Sequence, residues 1–160
     1  MINKYKPHVL VFPEDDADRQ LARGFELEID PKQASKFQVL PIANGWSKLK
    51  DKFGSNHVES MRSYKDRHMV LLVDFDQQQD RREVLLREVP EDIRKRVFVV
   101  GSWSDPEGLR RAGLGTFEEI GRRLANECRE GSDAVWGHDL LKHNDSEVIR
   151  MRDVLRPILF

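Results

Sequence analysis

The stretch His68-Met69-Val70-Leu71-Leu72-Val73-Asp74-Phe75-Asp76 decides the fold. Met69 to Val73 are apolar without a break, so no alternating polar position marks a wet side. That is the pattern of a strand covered on both faces in a parallel sheet. The run then ends on charge. Side chains two apart on an extended chain project the same way, so Asp74 and Asp76 can approach one cation while Phe75 turns into the protein. Two carboxylates held together repel unless something positive lies between them, and Mg²⁺ is the usual hard, oxygen-seeking occupant.

Outward from this stretch the same grammar repeats. His8-Val9-Leu10-Val11-Phe12 is a second buried strand, halted by Pro13 and followed at once by Glu14-Asp15-Asp16-Ala17-Asp18. Acids just ahead of a helical pattern suit a helix amino terminus, where Asp15 or Asp16 caps free amides and offsets the dipole. Four acids in five residues are nevertheless more than one cap requires. Phe37 to Ile42 reads as another strand, with Pro41 marking its end or an edge. Asn44-Gly45 is a turn, and residues 46 to 53 form a short helix with Trp46, Leu49 and Phe53 on one side. The polar region 54 to 67 is expected to be helical in its later part.

A helix is expected from Asp80 to Glu88, then a strand from Arg96 to Gly101, then a loop through Ser102 and Asp105 into a helix beginning at Pro106. Thr116 and Glu119 form a capping box for a helix that runs through Arg129 and closes at Gly131. Residues 144 to 155 form a last amphipathic helix. Strands separated by helix-length segments predict a single α/β domain whose mainly parallel central sheet is flanked by helices. In such sheets the loops beyond the carboxyl ends of the strands carry the chemistry. Three of those loops start with Glu14, Asp74 and Gly101-Ser102.

The chain has 160 residues, enough for one domain with a sizeable core. Its 27 basic and 28 acidic residues leave a formal net charge of −1, so any attraction to nucleic acid has to come from a local patch. One cysteine, Cys128, rules out an internal disulfide and a cysteine-built zinc site and suits a reducing compartment. The amino terminus lacks an apolar segment of signal-peptide length, and nowhere do eighteen apolar residues run together. The expectation is a soluble cytoplasmic protein with no membrane partner.

With Val9-Leu10-Val11-Phe12-Pro13-Glu14 followed by Asp18, and later Val70-Leu71-Leu72-Val73-Asp74-Phe75-Asp76, the chain resembles the Toprim family. This α/β module is shared by topoisomerases, bacterial primases, OLD-type nucleases and small ribosomal-RNA-maturing nucleases. Its pattern is a glutamate ending the first strand, usually followed by glycine, an aspartate four residues beyond it, and a later apolar strand ending in Asp-x-Asp. Asp15 stands where the family prefers glycine, and Pro13 precedes the glutamate. The resemblance covers most of the chain through Gly101 and implies a Toprim-like fold with metal-dependent phosphoryl transfer. Asp74 and Asp76 would hold Mg²⁺ or Mn²⁺, Glu14 would be a further ligand or the general acid/base, and Asp18 a water-mediated ligand. No tyrosine stands in a nucleophile's context, which favours hydrolysis of DNA or RNA over strand passage. Arg81 and Lys142 are the basic residues singled out to meet substrate phosphates, and Trp103 the tryptophan placed best to stack on a base.

Two other readings use the same residues. A receiver-like phosphoacceptor module would cast Asp15, Asp16, Asp74, Ser102 and Lys142, leaving Asp76 without a role. A non-catalytic Toprim-like subunit would act beside a protein partner in a defence or processing complex, consistent with the small size and neutral overall charge.

Overall fold

The structure is a computed structural model that describes residues 2–160. Four strands form an all-parallel sheet: β1 (His8–Pro13), β2 (Phe37–Val39), β3 (Arg67–Leu72) and β4 (Val97–Val100), in the order β2-β1-β3-β4. Successive residues of each strand point to opposite faces, and both faces are dry. Val9, Val11, Val70, Phe98 and Val100 pack on one side with α1 (Asp16–Leu27), α6 (Phe117–Glu130) and α7 (Asp145–Leu159). Leu10, Phe12, Met69, Leu71, Val97 and Val99 pack on the other with α2 (Trp46–Lys52), α3 (Val58–Ser63) and α4 (Arg81–Arg87). A short helix α5 (Glu107–Arg111) follows β4. The α/β architecture expected from the strand runs is therefore present. Among the described residues no helix is long and apolar enough to cross a membrane.

Several elements differ in extent from the sequence reading, each for a physical reason. Pro13 does not halt β1; it completes it opposite Leu72, since only its missing N–H is lost to the ladder. β2 stops at Val39, although the Leu40 amide still donates to the Val11 carbonyl at 2.8 Å before Pro41 ends the pairing. The helix starting at Trp46 does not end near Phe53. It continues through one π turn (Phe53–His57) into α3. Buried Leu49 and Phe53 lie four residues apart, but the next buried residue, Val58, comes five later. The wider turn absorbs the extra residue and keeps the apolar side facing the sheet. α7 likewise runs on to Leu159, past Pro157.

Two features tie the helices down. Gly24 and Gly121 sit where α1 crosses α6: a Cβ on Gly24 would lie 2.1 Å from the Glu118 carbonyl oxygen, and one on Gly121 2.0 Å from that of Leu21. Along the outer side of β4, side chains occupy the backbone groups. Arg150 donates to the Val97 carbonyl at 2.6 Å, Glu147 accepts the Val99 amide at 3.0 Å, and Arg82 donates to the Val99 carbonyl at 3.0 Å. Asn144 accepts from the Gly101 amide at 3.2 Å and donates to its carbonyl at 2.9 Å.

Candidate functional site

The direction of chain winding reverses between β1 and β3, so the crevice beyond their carboxyl ends is where a parallel sheet of this order receives a ligand. Glu14 leaves β1 at that crevice and Asp74 leaves β3. They meet: Glu14 Oε2 accepts the Asp74 amide at 2.7 Å, joining segments sixty residues apart in the chain. The loop after β2 closes over the same point, with the Asn44 amide 2.8 Å from the Glu14 carbonyl oxygen.

The Asp74-Phe75-Asp76 segment lies beyond the end of β3 but remains zipped to the chain after β4. The Val73 amide donates to the Val100 carbonyl at 2.9 Å, Phe75 to Ser102 at 3.0 Å and Gln77 to Trp103 at 2.7 Å. The two chains approach so closely that a Cβ on Gly101 would lie 1.6 Å from the Val73 carbonyl oxygen, which only glycine permits. Phe75 turns inward and is 1% exposed, as the spacing predicts. The acids flanking it do not stand in parallel on an extended strand. Asp74 Oδ1 accepts the Asp76 amide at 2.8 Å, and Asp76 and Gln77 adopt left-handed backbone with φ of 48° and 58°. Asp76 therefore sits on an exposed turn while Asp74 is half-buried beneath it.

Burial and crowding hold protons at this crevice. Desolvation raises the Asp74 carboxyl to about 6, with the Asp76 and Asp105 charges adding to it and the Asp76 amide and Arg81 opposing. Glu14 is raised, first by burial and then by Asp74 and Asp15, against the lowering effect of the Asp74 amide. Asp18 is the extreme case. It is fully buried on the first turn of α1, neither carboxylate oxygen has a hydrogen-bond partner, and burial together with Asp15, Glu14 and Asp74 pushes it well above the usual carboxylate range. Asp15, by contrast, is the helix cap, its Oδ1 accepting the Asp18 amide at 3.2 Å. Asp16 faces outward and bonds Arg19 and Gln20.

Among the described residues no group of three or more His, Cys, Asp or Glu side chains is gathered as a metal-ligand cluster. Glu14 and Asp74 are joined through an amide rather than through paired carboxylates. The donor set is nonetheless all oxygen, which suits Mg²⁺ or Mn²⁺, and Asp18 supplies a buried carboxylate with both oxygens unused.

Arg81 is at the site but turned into it. Its Nη1 donates to the Asp74 carbonyl at 2.9 Å, its Nη2 lies 3.6 Å from Asp76, and its guanidinium stacks 4.5 Å from the Trp46 ring centroid. Lys142 instead pairs with Asp139 at 2.9 Å on an exposed turn, and it touches none of the four acids. Trp103 is half-buried against the His143 ring, and Trp136 is a core residue whose Nε1 donates to the Leu124 carbonyl. Ser102 is 1% exposed, and its hydroxyl donates to the Ser104 carbonyl at 2.6 Å.

The sequence reading did not single out three residues that act here. Asp105, on the loop after β4, bears electrostatically on Asp74; its only sequence signal was an acid beyond a strand end. Arg82 stacks 4.8 Å from the Phe75 centroid and donates to the His143 carbonyl at 2.9 Å and to Asn144 Oδ1 at 2.6 Å. His143 lies 4.6 Å from Phe75, with neither ring nitrogen bonded, and burial lowers it to about 4. Comparison of the chain with protein-family models, with curated proteins and with solved structures finds no match in any of the three.

Proposed function

We propose that this chain is a divalent-metal-dependent nuclease, hydrolysing phosphodiester bonds in DNA or RNA with Mg²⁺ or Mn²⁺ at the β1/β3 crevice. The reading rests on one arrangement: a fully buried, unpartnered Asp18 beside Glu14, which is itself bonded to the Asp74 amide at the point where the sheet reverses. Unpartnered buried acid is costly, and folds retain it where a cation or a proton transfer uses it. It fits the Toprim-like pattern of Glu14, Asp18, Asp74 and Asp76 in the sequence.

The bound cation would neutralise charge developing on the phosphate oxygens. Asp74, Asp76 and Asp18 are the residues that would hold it. Glu14, with its raised pKa, is suited to exchange a proton with the attacking water or the leaving oxygen. Arg81 braces the Asp74 carbonyl and offsets part of the acid charge, and its place beside Asp76 leaves it within reach of a phosphate. Lys142, tied to Asp139, would have to leave that pair to take part.

The test is cleavage of single- and double-stranded DNA and RNA in Mg²⁺ or Mn²⁺ by the wild type and by Glu14→Gln, Asp74→Asn and Asp76→Asn. Loss of cleavage in the variants, with unchanged circular dichroism, supports the proposal. Wild-type rates in all three end it. A second reading is supported by a specific observation, that Glu14 is bonded to the Asp74 amide rather than facing its carboxylate. On that reading the domain is a non-catalytic Toprim-like subunit acting beside a protein partner, and it would bind neither Mg²⁺ nor Mn²⁺ in a calorimetric titration.

A further inference from the structure

At the opposite end of the sheet from the acids lies a largely buried cation with no protein counter-charge among the described residues. Arg67, the first residue of β3, is 7% exposed, and among the described residues it makes no ion pair. Its single side-chain hydrogen bond runs from Nε to Nε2 of His8 at 3.0 Å. His8 is fully buried with Nδ1 2.7 Å from the Lys6 carbonyl oxygen, so Nδ1 carries the proton, Nε2 accepts, and the ring is neutral. A neutral imidazole does not balance a guanidinium.

The other partly buried arginines behave differently. Arg82 places its N–H groups on Val99, His143 and Asn144. Arg96 places its own on the carbonyls of Met61, Tyr64 and Arg67, and Arg150 on Glu147 and Val97. Arg67 alone leaves its four Nη hydrogens without a protein acceptor. A second cation shares its aromatic neighbour. The Arg67 guanidinium lies 4.7 Å from the Tyr64 ring centroid and the Lys4 ammonium 5.3 Å from the same centroid. The nearest acid in the chain, Asp66, is exposed and does not pair with Arg67. His57 and His68, the other titratable rings near this end, are both held toward the neutral form by burial.

We propose that Arg67, Lys4 and Tyr64 form a binding site for a phosphate group, distinct from the acid crevice and independent of the nuclease reading. The planar guanidinium fork matches two phosphate oxygens, the ammonium adds a third contact, and the dianion supplies the countercharge that Arg67 lacks. The phosphate comes either as the free ion or as the terminal monoester of a nucleotide chain.

The experiment is thermal unfolding and calorimetry of the full chain in sodium phosphate against sodium chloride at matched ionic strength, without divalent metal. The expected result is a rise in Tm that saturates with phosphate and is absent with chloride. Arg67→Met should abolish it. Arg67→Lys, which keeps the charge but loses the fork, should weaken binding about tenfold. Lys4→Glu, at an exposed position that leaves folding untouched, should abolish it too, which keeps the test decisive if Arg67→Met fails to fold. A 5′-phosphorylated oligonucleotide that competes with the ion, where its 5′-hydroxyl counterpart does not, identifies the terminal monoester; failure of both to compete identifies the free ion. Equal responses to phosphate and chloride, or an unchanged phosphate response in Lys4→Glu, would overturn the proposal.

Discussion

Replacing Asp18 by asparagine is expected to make the metal-free protein more stable, which is unusual for a change at a fully buried position. The Asp18 carboxyl is fully buried beside the like charges of Asp15, Glu14 and Asp74, and neither oxygen is bonded. Such a group folds most cheaply in its neutral form. Holding a carboxyl of ordinary pKa 3.8 neutral at pH 7 costs about 4 kcal/mol, which is the ceiling on the gain. Asparagine is neutral already, but it brings an amide into the same unpartnered place, at a cost of about 2 kcal/mol. The net gain is at most about 2 kcal/mol, a rise in Tm of up to about 4–8 °C for a chain of this size. The sign with pH follows from the raised pKa. The penalty is absent below the unfolded value of 3.8 and grows as pH rises, so the variant's advantage at pH 7.5 should exceed that at pH 5. Thermal denaturation followed by circular dichroism at several pH values, in chelator, measures it. An Asp18→Asn protein less stable than wild type at pH 7.5 would show that the carboxylate is satisfied in the fold and would remove the main support for a cation there.

Other consequences can be tested in parallel. If Asp74 and Glu14 give up protons when a divalent ion binds, Mg²⁺ or Mn²⁺ affinity should strengthen as pH rises through about 6, and titrations in buffers of different ionisation enthalpy should reveal released protons; a pH-independent affinity contradicts this. His143, lowered to about 4, contributes stability that is full above 6.5 and lost as pH falls toward 4. Its ceiling of about 3 kcal/mol is reduced by solvent screening because the ring is partly exposed. His143→Phe should therefore shift the acid unfolding midpoint to lower pH. Gly101→Ala should cost more than about 3 kcal/mol or displace the Asp74 loop, since the added carbon would overlap the Val73 carbonyl; urea denaturation tests it, and a wild-type midpoint would refute the close approach.

The fold was legible wherever apolar runs were uninterrupted. β1, β3 and β4 show no polar alternation because helices cover both of their faces, and periodicity alone places them. The unbroken passage of the helix across Phe53–His57 was not legible, because Gly54, Ser55 and Asn56 are poor helix formers and the five-residue step to Val58 breaks the regular spacing. Tertiary burial of Phe53, Val58 and Met61 carries the chain through. At the candidate site, residue types and their order named Glu14, Asp18, Asp74 and Asp76, but no local pattern reveals that Asp18 is buried and Asp16 exposed. Nothing in the sequence distinguishes Arg82 from a solvated base, yet it lies over the Phe75 ring and bonds Asn144 ahead of α7. Arg67 and His8 meet only because β1 and β3 pair in register, which no local window contains.

The side chains lined along β4 have a consequence for how the molecule reaches its native state. Arg82 comes from α4, ahead of the strand, but Asn144, Glu147 and Arg150 follow it, so the outer strand has already emerged from the ribosome more than forty residues before most of its protective cover does. During that interval its backbone is an open template for another nascent chain. Glu147→Ala, which frees the Val99 amide, should therefore lower the soluble yield far more than it lowers the melting temperature of the molecules that do fold.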